Sequence, residues 1–396
     1  MSSVEIKKDV YWVGVRDPEL RVFDIIMRTD KGTTYNSYLI VDEKVVLIDT
    51  VKEGFSKEFI SNIKSVIGDR KIDYIVVNHT EPDHSGAMKV ILEEYGDAVI
   101  YGSRSALNNI KEITNRDFKG VEVKHNDELN IGRRTLKFVS APLLHWPDTI
   151  FTYVEHDKVL FSGDVFGCHY CDDDPSKIFN DEVGDFSHEL RYYYDVIMGP
   201  FKKKVLEAIE KIKQLDIDVI CTTHGPILRE KPWKYVDLYE EWSRVVLETG
   251  KERRALVVYV SSYGYTREVA HEIAEGIKET GAEALVYDIT EHKISDLVDK
   301  LEKSKALAIG SPTINQDAVK PAWDFLSEVS PIVNRGKLAV AFGSYGWSGE
   351  SVQLLTDRLK GLKFKVIEPG LKINFRPSDE EMKKARELGR QIGNQI

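Results

Sequence analysis

Between residues 79 and 84 the chain reads His79-Thr80-Glu81-Pro82-Asp83-His84, a run dense in groups able to bind metal. The run begins one residue after the apolar stretch Tyr74-Ile75-Val76-Val77, so a strand is expected to end where these donors begin and to open into a loop. Three more candidates stand beside other apolar runs. His145 lies in Ala141-Pro142-Leu143-Leu144-His145-Trp146-Pro147, Asp164 follows Val159-Leu160-Phe161-Ser162-Gly163, and His224 follows Val219-Ile220-Cys221-Thr222-Thr223. A histidine alone after a strand is most often structural. Seven such donors, delivered by strand ends to one edge of a sheet, make a preorganised metal cavity.

Donor count divides the set between two ions. His79, Glu81 and His145 would hold one, Asp83, His84 and His224 the other, and Asp164 would bridge them. Four imidazoles and three carboxylates nearly balance two divalent cations and leave room for a bridging hydroxide or oxide. The order His-x-Glu-x-Asp-His differs at one position from the His-x-His-x-Asp-His expected of binuclear zinc hydrolases. A carboxylate in place of an imidazole makes the set harder and more negative, which suits iron or manganese better than zinc. Mixed nitrogen and oxygen donors with open positions suit ferrous chemistry with oxygen or nitric oxide. His125, His156, His271 and His292 lie in polar surroundings and read as ordinary solvated side chains.

A second constellation begins after residue 255. The apolar run Leu256-Val257-Val258-Tyr259-Val260 leads into Ser261-Ser262-Tyr263-Gly264-Tyr265-Thr266, with a helix expected from about Arg267. Hydroxyls and amides at a helix N-terminus suit a phosphate, and one phosphate fills this loop. Two more loops follow apolar runs: Gly310-Ser311-Pro312-Thr313-Ile314-Asn315, and Gly343-Ser344-Tyr345-Gly346-Trp347-Ser348-Gly349. All three are expected at the carboxyl ends of parallel strands, where doubly wound folds bind ligands. Tyr345 and Trp347, set among glycines, read as exposed aromatics suited to stacking on a flat ring. FMN is the ligand that fits best.

The elements that must position these groups fall into two grammars. Before residue 250 the strands cluster in two groups with helices between them, which fits two sheets with helices outside. Asn36–Val41 and Val45–Asp49 form a hairpin. Ser56 to Ile67 has helical spacing, with Phe59, Ile60, Ile63 and Ile67 on one face. Strands are also expected at Val121–Lys124, Thr135–Val139 and Ile150–Val154, helices from 190 to 214, and a charged helix from Trp233 to Thr249. Gly250-Lys251-Glu252-Arg253-Arg254 reads as a linker. After it, compact apolar strands alternate with helices, the mark of a doubly wound parallel sheet. The last of these strands is expected at Lys363–Ile367, before a closing helix at Asp379–Ile392. The boundaries are therefore residues 1–250 and 251–396.

The 396 residues carry a net charge of -10, which argues against nucleic-acid or anionic-membrane partners. The acid excess lies almost wholly before residue 250. No apolar stretch approaches membrane-spanning length, and the first residues lack the apolar core of a signal peptide. Three cysteines, Cys168, Cys171 and Cys221, make no disulfide framework, so a reducing cytoplasm is expected. Cys168 and Cys171 have Cys-x-x-Cys spacing without a second pair to complete a four-thiolate site.

Together these residues resemble the flavodiiron proteins, also called A-type flavoproteins, over nearly the whole chain. The resemblance rests on His79-x-Glu81-x-Asp83-His84, His145, Asp164 and His224, then on Ser261–Thr266, Gly310–Thr313 and Phe342–Gly349. It implies a metallo-β-lactamase-like αββα domain with two non-haem irons, followed by a flavodoxin-like FMN domain. It also implies reduction of dioxygen to water, of nitric oxide to nitrous oxide, or both. Further implications are a head-to-tail homodimer or dimer of dimers, and an external donor such as rubredoxin or a reduced cofactor. His169 matches a family histidine beside the metal pocket, and Asp24 stands where some members carry histidine. The rival readings are a binuclear zinc hydrolase fused to a flavodoxin, and a non-enzymatic electron carrier or redox sensor.

Overall fold

The computed structural model describes residues 3–25, 27–249 and 252–396, the side chains of 245–249 aside. Within it lie two compact units, Met1–Arg244 and Val245–Ile396. Gly250 and Lys251 of the expected linker fall outside the described residues, and Arg254 already belongs to a strand.

The first unit is built on a seven-stranded and a five-stranded sheet. In the larger sheet the hairpin Tyr38–Val41 and Val45–Ile48 leads into three parallel neighbours, Tyr74–Val77, Val99–Gly102 and Lys119–Glu122. The smaller sheet runs Glu128–Asn130, Thr135–Ser140, Ile150–Val154, Val159–Gly163 and Val219–Thr222; only its last pair is parallel. The period of two in each strand explains the layering. Val46 and Ile48 point to the core between the sheets, with Phe138, Val154 and Phe161 of the other sheet. Val45 and Leu47 point the opposite way, against Phe59 and Ile63 of helix Ser56–Ile67. The result is helix, sheet, sheet, helix.

The second unit is a parallel sheet in the order Glu283–Asp288, Arg254–Tyr259, Ala306–Gly310, Leu338–Tyr345 and Lys365–Val366. Helices cover both faces. Leu297, Phe325, Leu355 and Leu359 fill one side; Val269, Ile273, Ala385 and Ile392 fill the other. Helices Tyr265–Lys278 and Asp379–Gln395 approach backbone to backbone at Gly276 and Gly389. A Cβ on either would stand 2.0 Å from a carbonyl of the opposite helix.

Several expected boundaries move. The strand placed at Val121–Lys124 is Lys119–Glu122, set by parallel pairing with Val99–Gly102 rather than by its own apolar residues. The helix expected from Arg267 starts at Tyr265, directly after the left-handed Gly264. The final strand expected at Lys363–Ile367 is only Lys365–Val366. A further strand, Leu371–Asn374, pairs with the upper half of Leu338–Tyr345. Among the described residues no helix is long and apolar enough to cross a membrane.

Candidate metal centre and flavin site

Strand Tyr74–Val77 carries His79 and Glu81 out of the larger sheet. The chain does not then open wholly into loop, as the sequence suggests. Pro82 takes the first position of a helical turn, Pro82–Ser85, where its fixed φ and missing N–H cost nothing. That turn presents Asp83 and His84 to the same pocket. Thr50 holds it in place, donating to the His84 carbonyl from both its amide and its hydroxyl, at 2.8 and 2.7 Å. The smaller sheet supplies the rest: Asp164 follows the left-handed Gly163 at the end of Val159–Gly163, and His224 follows Val219–Thr222.

The seven candidate donors meet in two groups. His79, Glu81, His145 and Asp164 form one; Asp83, His84 and His224 form the other, with the donor atoms of each group within 4.8 Å of one another. Asp164 turns one oxygen toward each. Its Oδ2 lies 3.5 Å from both His79 Nε2 and His145 Nε2, while Oδ1 lies 3.0 Å from His84 Nε2. Thr223 fixes this carboxylate by donating to Oδ1 at 2.6 Å. Glu81 Oε2 stands 2.9 Å from His145 Nε2 and 3.3 Å from His79 Nε2; Asp83 Oδ2 stands 3.0 Å from His224 Nε2.

Burial and charge oppose each other here. Burial favours neutral imidazole at His84, yet the Asp83 and Asp164 carboxylates overcome it and push the ring up to about 9. His145 follows the same pattern: burial disfavours its charge, Asp164 and Glu81 restore it, and the ring again reaches about 9. Glu81 is desolvated, but hydrogen bonds from His145 and His79 hold it well below the usual carboxylate range. Asp83 Oδ1 and His84 Nδ1 are buried with no hydrogen-bond partner, and Asp83 Oδ2 and His84 Nε2 face charged neighbours without hydrogen-bond geometry. Unsatisfied buried donors and acceptors of this kind are costly in a purely structural cluster. Two divalent cations would satisfy them, so the residues fit a binuclear nitrogen–oxygen site.

Other residues surround the rings; His169 and Asp24 are expected from the sequence, and the rest carry little local signal. Asp148 is fully buried; its Oδ2 accepts from the Thr80 amide and hydroxyl at 2.8 and 2.7 Å, and its Oδ1 lies 3.3 Å from His79 Nδ1. His224 Nδ1 lies 2.7 Å from the Thr34 carbonyl, a contact in which the ring N–H donates and Nε2 is left free for metal. His169 packs 4.7 Å from the His224 ring, centroid to centroid, and Thr33 Oγ1 lies 2.9 Å from its Nδ1. Burial and the neighbouring His224 hold His169 well below the usual imidazole range. Asp24 sits at a left-handed turn; lost hydration, a hydrogen bond to Glu81 and repulsion from Glu81 and Asp83 push it up to about 6. Asp148, three residues after His145, could have been noticed as a carboxylate beside a candidate ligand. Thr33 carried no signal.

In the second unit the three loops leave the carboxyl ends of Arg254–Tyr259, Ala306–Gly310 and Leu338–Tyr345. Ser261 Oγ accepts from the Gly264 and Arg267 amides at 3.1 and 3.3 Å, which curls the first loop over its helix. Ser262 and Tyr263 project from it, the tyrosine 86 % exposed; Tyr265 and Thr266 open the helix. Thr266 and Ser344 tie the first loop to the third through hydroxyls 2.9 Å apart. Pro312 is buried, Thr313 donates to Ser351 Oγ at 2.8 Å, and Asn315 is exposed in the left-handed region. Only glycine fits at 343, where a Cβ would stand 2.0 Å from the Ser311 carbonyl. Trp347 is 84 % exposed, whereas Tyr345 is half-buried rather than exposed as expected, because Gly349 packs against its ring. Phe375, absent from the sequence-based set, lies against Gly346, and Asn374 Nδ2 donates to the Gly346 carbonyl at 2.9 Å. Open hydroxyls around one loop and exposed aromatic rings on its neighbours fit a flavin mononucleotide.

A two-metal site on an αββα sandwich, joined to a doubly wound sheet of flavodoxin order, defines a flavin-linked metalloprotein. The ODP family beta lactamase profile matches residues 33–225, and the flavodoxin profile matches 257–389. The type A flavoprotein of Rhodobacter capsulatus is 40 % identical over 99 % of this chain and 91 % of its own. A nitric oxide reductase of Moorella thermoacetica is 34 % identical over 99 % and 98 %. Rubredoxin oxygen:oxidoreductase of Desulfovibrio gigas superposes with a TM-score of 0.69 at 28 % identity, covering 100 % of this chain and 98 % of that one. The chain belongs to the type A flavoproteins, the flavodiiron family, and is an oxidoreductase with a metallo-β-lactamase-like and a flavodoxin-like domain. FMN and a non-haem diiron pair are the cofactors that membership implies.

Proposed function

We propose that this protein reduces nitric oxide to nitrous oxide, dioxygen to water, or both. In this reading residues 1–250 form the diiron domain and 251–396 the FMN domain. The observation that carries it is Asp164, with one oxygen turned to each of two donor groups. When bound, two ferrous ions would bind and activate the diatomic molecule, and reduced FMN would renew their electrons. His79, Glu81, His145 and Asp164 would hold one iron; Asp83, His84 and His224, with the second oxygen of Asp164, would hold the other. The loops Ser261–Thr266, Pro312–Asn315 and Ser344–Trp347 would hold FMN.

The stoichiometry matches the electron store. Two nitric oxide molecules, two electrons and two protons give nitrous oxide and water. Dioxygen, four electrons and four protons give two waters, which two ferrous ions and one reduced flavin supply together. This chain's residues keep the site ordered for either: Asp148 and the Thr34 carbonyl orient His79 and His224, and Thr223 holds Asp164. The similarity to the nitric oxide reductase of Moorella and the rubredoxin oxygen:oxidoreductase of Desulfovibrio supports both substrates. A small one-electron donor such as rubredoxin, or a reduced cofactor, would serve the flavin. The reading includes a homodimer or dimer of dimers in the cytoplasm, to which the three buried free cysteines are suited.

The test is metal and flavin content of anaerobically purified protein, then competing turnover of the two gases. About two irons and one FMN per chain, with turnover of either gas, are expected. Zinc in protein made with iron in excess would return the chain to the hydrolase reading.

A further inference from the structure

A cavity of about 200 Å³ opens on the first unit beside the metal donors. Its outer wall is exposed and polar, with Arg28, Asp30 and His188; the half-buried Tyr192 lines it too. Its inner wall is His169 and Tyr193, only 4 % and 3 % exposed. Behind that wall stands His224. The His169 ring is 4.7 Å from the His224 ring and 5.0 Å from Tyr193, and Tyr193 is 6.1 Å from His224. The cavity therefore ends one aromatic layer from a candidate metal ligand.

We infer that this cavity is the passage by which the diatomic substrate reaches the metal centre and product leaves it. The inference rests on the functional reading above. Two observations support it. The first is His169 Nε2, which is buried and has no hydrogen-bond partner although its residue lines the cavity. With Nδ1 occupied by Thr33, Nε2 is left as an unspent polar atom in the wall between the cavity and the metal donors. The second is where the cavity ends. It abuts His224, a member of the group of Asp83, His84 and His224.

The experiment uses the full chain loaded with iron and FMN. Crystals pressurised with xenon should show an atom between His169 and Tyr192. Tyr192→Trp, which fills the passage, should remove that atom. The same change should lower kcat/KM for nitric oxide or dioxygen at least five-fold, with kcat at saturating gas, iron content and flavin spectrum unchanged. Asp30→Trp, at the exposed mouth, carries the same test should Tyr192→Trp fail to fold. A variant that excludes xenon yet keeps full kcat/KM overturns the inference. So does xenon that binds elsewhere in the unit and leaves this cavity empty. Absence of turnover of either gas by the loaded wild type removes the functional reading and this passage with it. Normal turnover with an indifferent plug removes the passage alone.

Discussion

At the scale of single residues the centre depends on which carboxylates face which rings. Glu81→Ala and Asp164→Ala should each abolish gas turnover while leaving FMN bound; oxygen or nitric oxide electrode traces alongside flavin absorbance check this. Full gas consumption by either variant would sink the diiron assignment. Asp148→Ala touches no candidate donor atom but frees His79 Nδ1, so iron should bind some 10–100-fold more weakly, as read by competition with a chelator. A pH dependence follows from His84 and His145, both held near 9 in the metal-free protein. At neutral pH these rings carry protons that metal must displace. Iron affinity should therefore rise between about pH 6 and 9, with proton release visible by calorimetry in buffers of different ionisation enthalpy. The seven donors could be named from sequence because His, Asp and Glu beside Gly or Pro at strand ends are visible locally. Thr33 and Tyr193 could not, because each matters only through what lies across the fold from it; Asp148 shows locally only as a carboxylate near His145.

At the scale of elements, strand and helix periods were readable wherever one face is buried. Ser56–Ile67 and Ile150–Val154 end where their apolar spacing ends. Strand Leu371–Asn374 was hidden because Lys372 and Asn374 face solvent and only four residues pair. The helical turn Pro82–Ser85 was hidden for a different reason: four residues are too few for a period to show. Helices Tyr265–Lys278 and Asp379–Gln395 give a prediction at this scale. Gly276→Ala or Gly389→Ala forces the two backbones apart and should destabilise the second unit by about 1–3 kcal/mol. Ser378→Ala removes the capping box that opens the closing helix and should cost about 1 kcal/mol. Denaturant unfolding followed by flavin fluorescence measures both, and the glycine variants should be the more damaged.

At the scale of the whole molecule, each unit encloses its own apolar cores and its own candidate site. A fragment starting at Val245 should fold and bind FMN without the first unit, as titration with the flavin would show; a fragment that stays unfolded would refute this autonomy. The composition break near residue 250 was legible because the strand grammar changes there. The donors of the first unit are scattered along its length, and this has a consequence for synthesis. They come from the far ends of Tyr74–Val77, Thr135–Ser140, Val159–Gly163 and Val219–Thr222, and His224 emerges last. A chain still on the ribosome short of that residue holds loose imidazoles and carboxylates, and grips iron weakly. Tight capture waits until both sheets have been made and joined. The complete donor set therefore exists only in a chain made at least as far as His224.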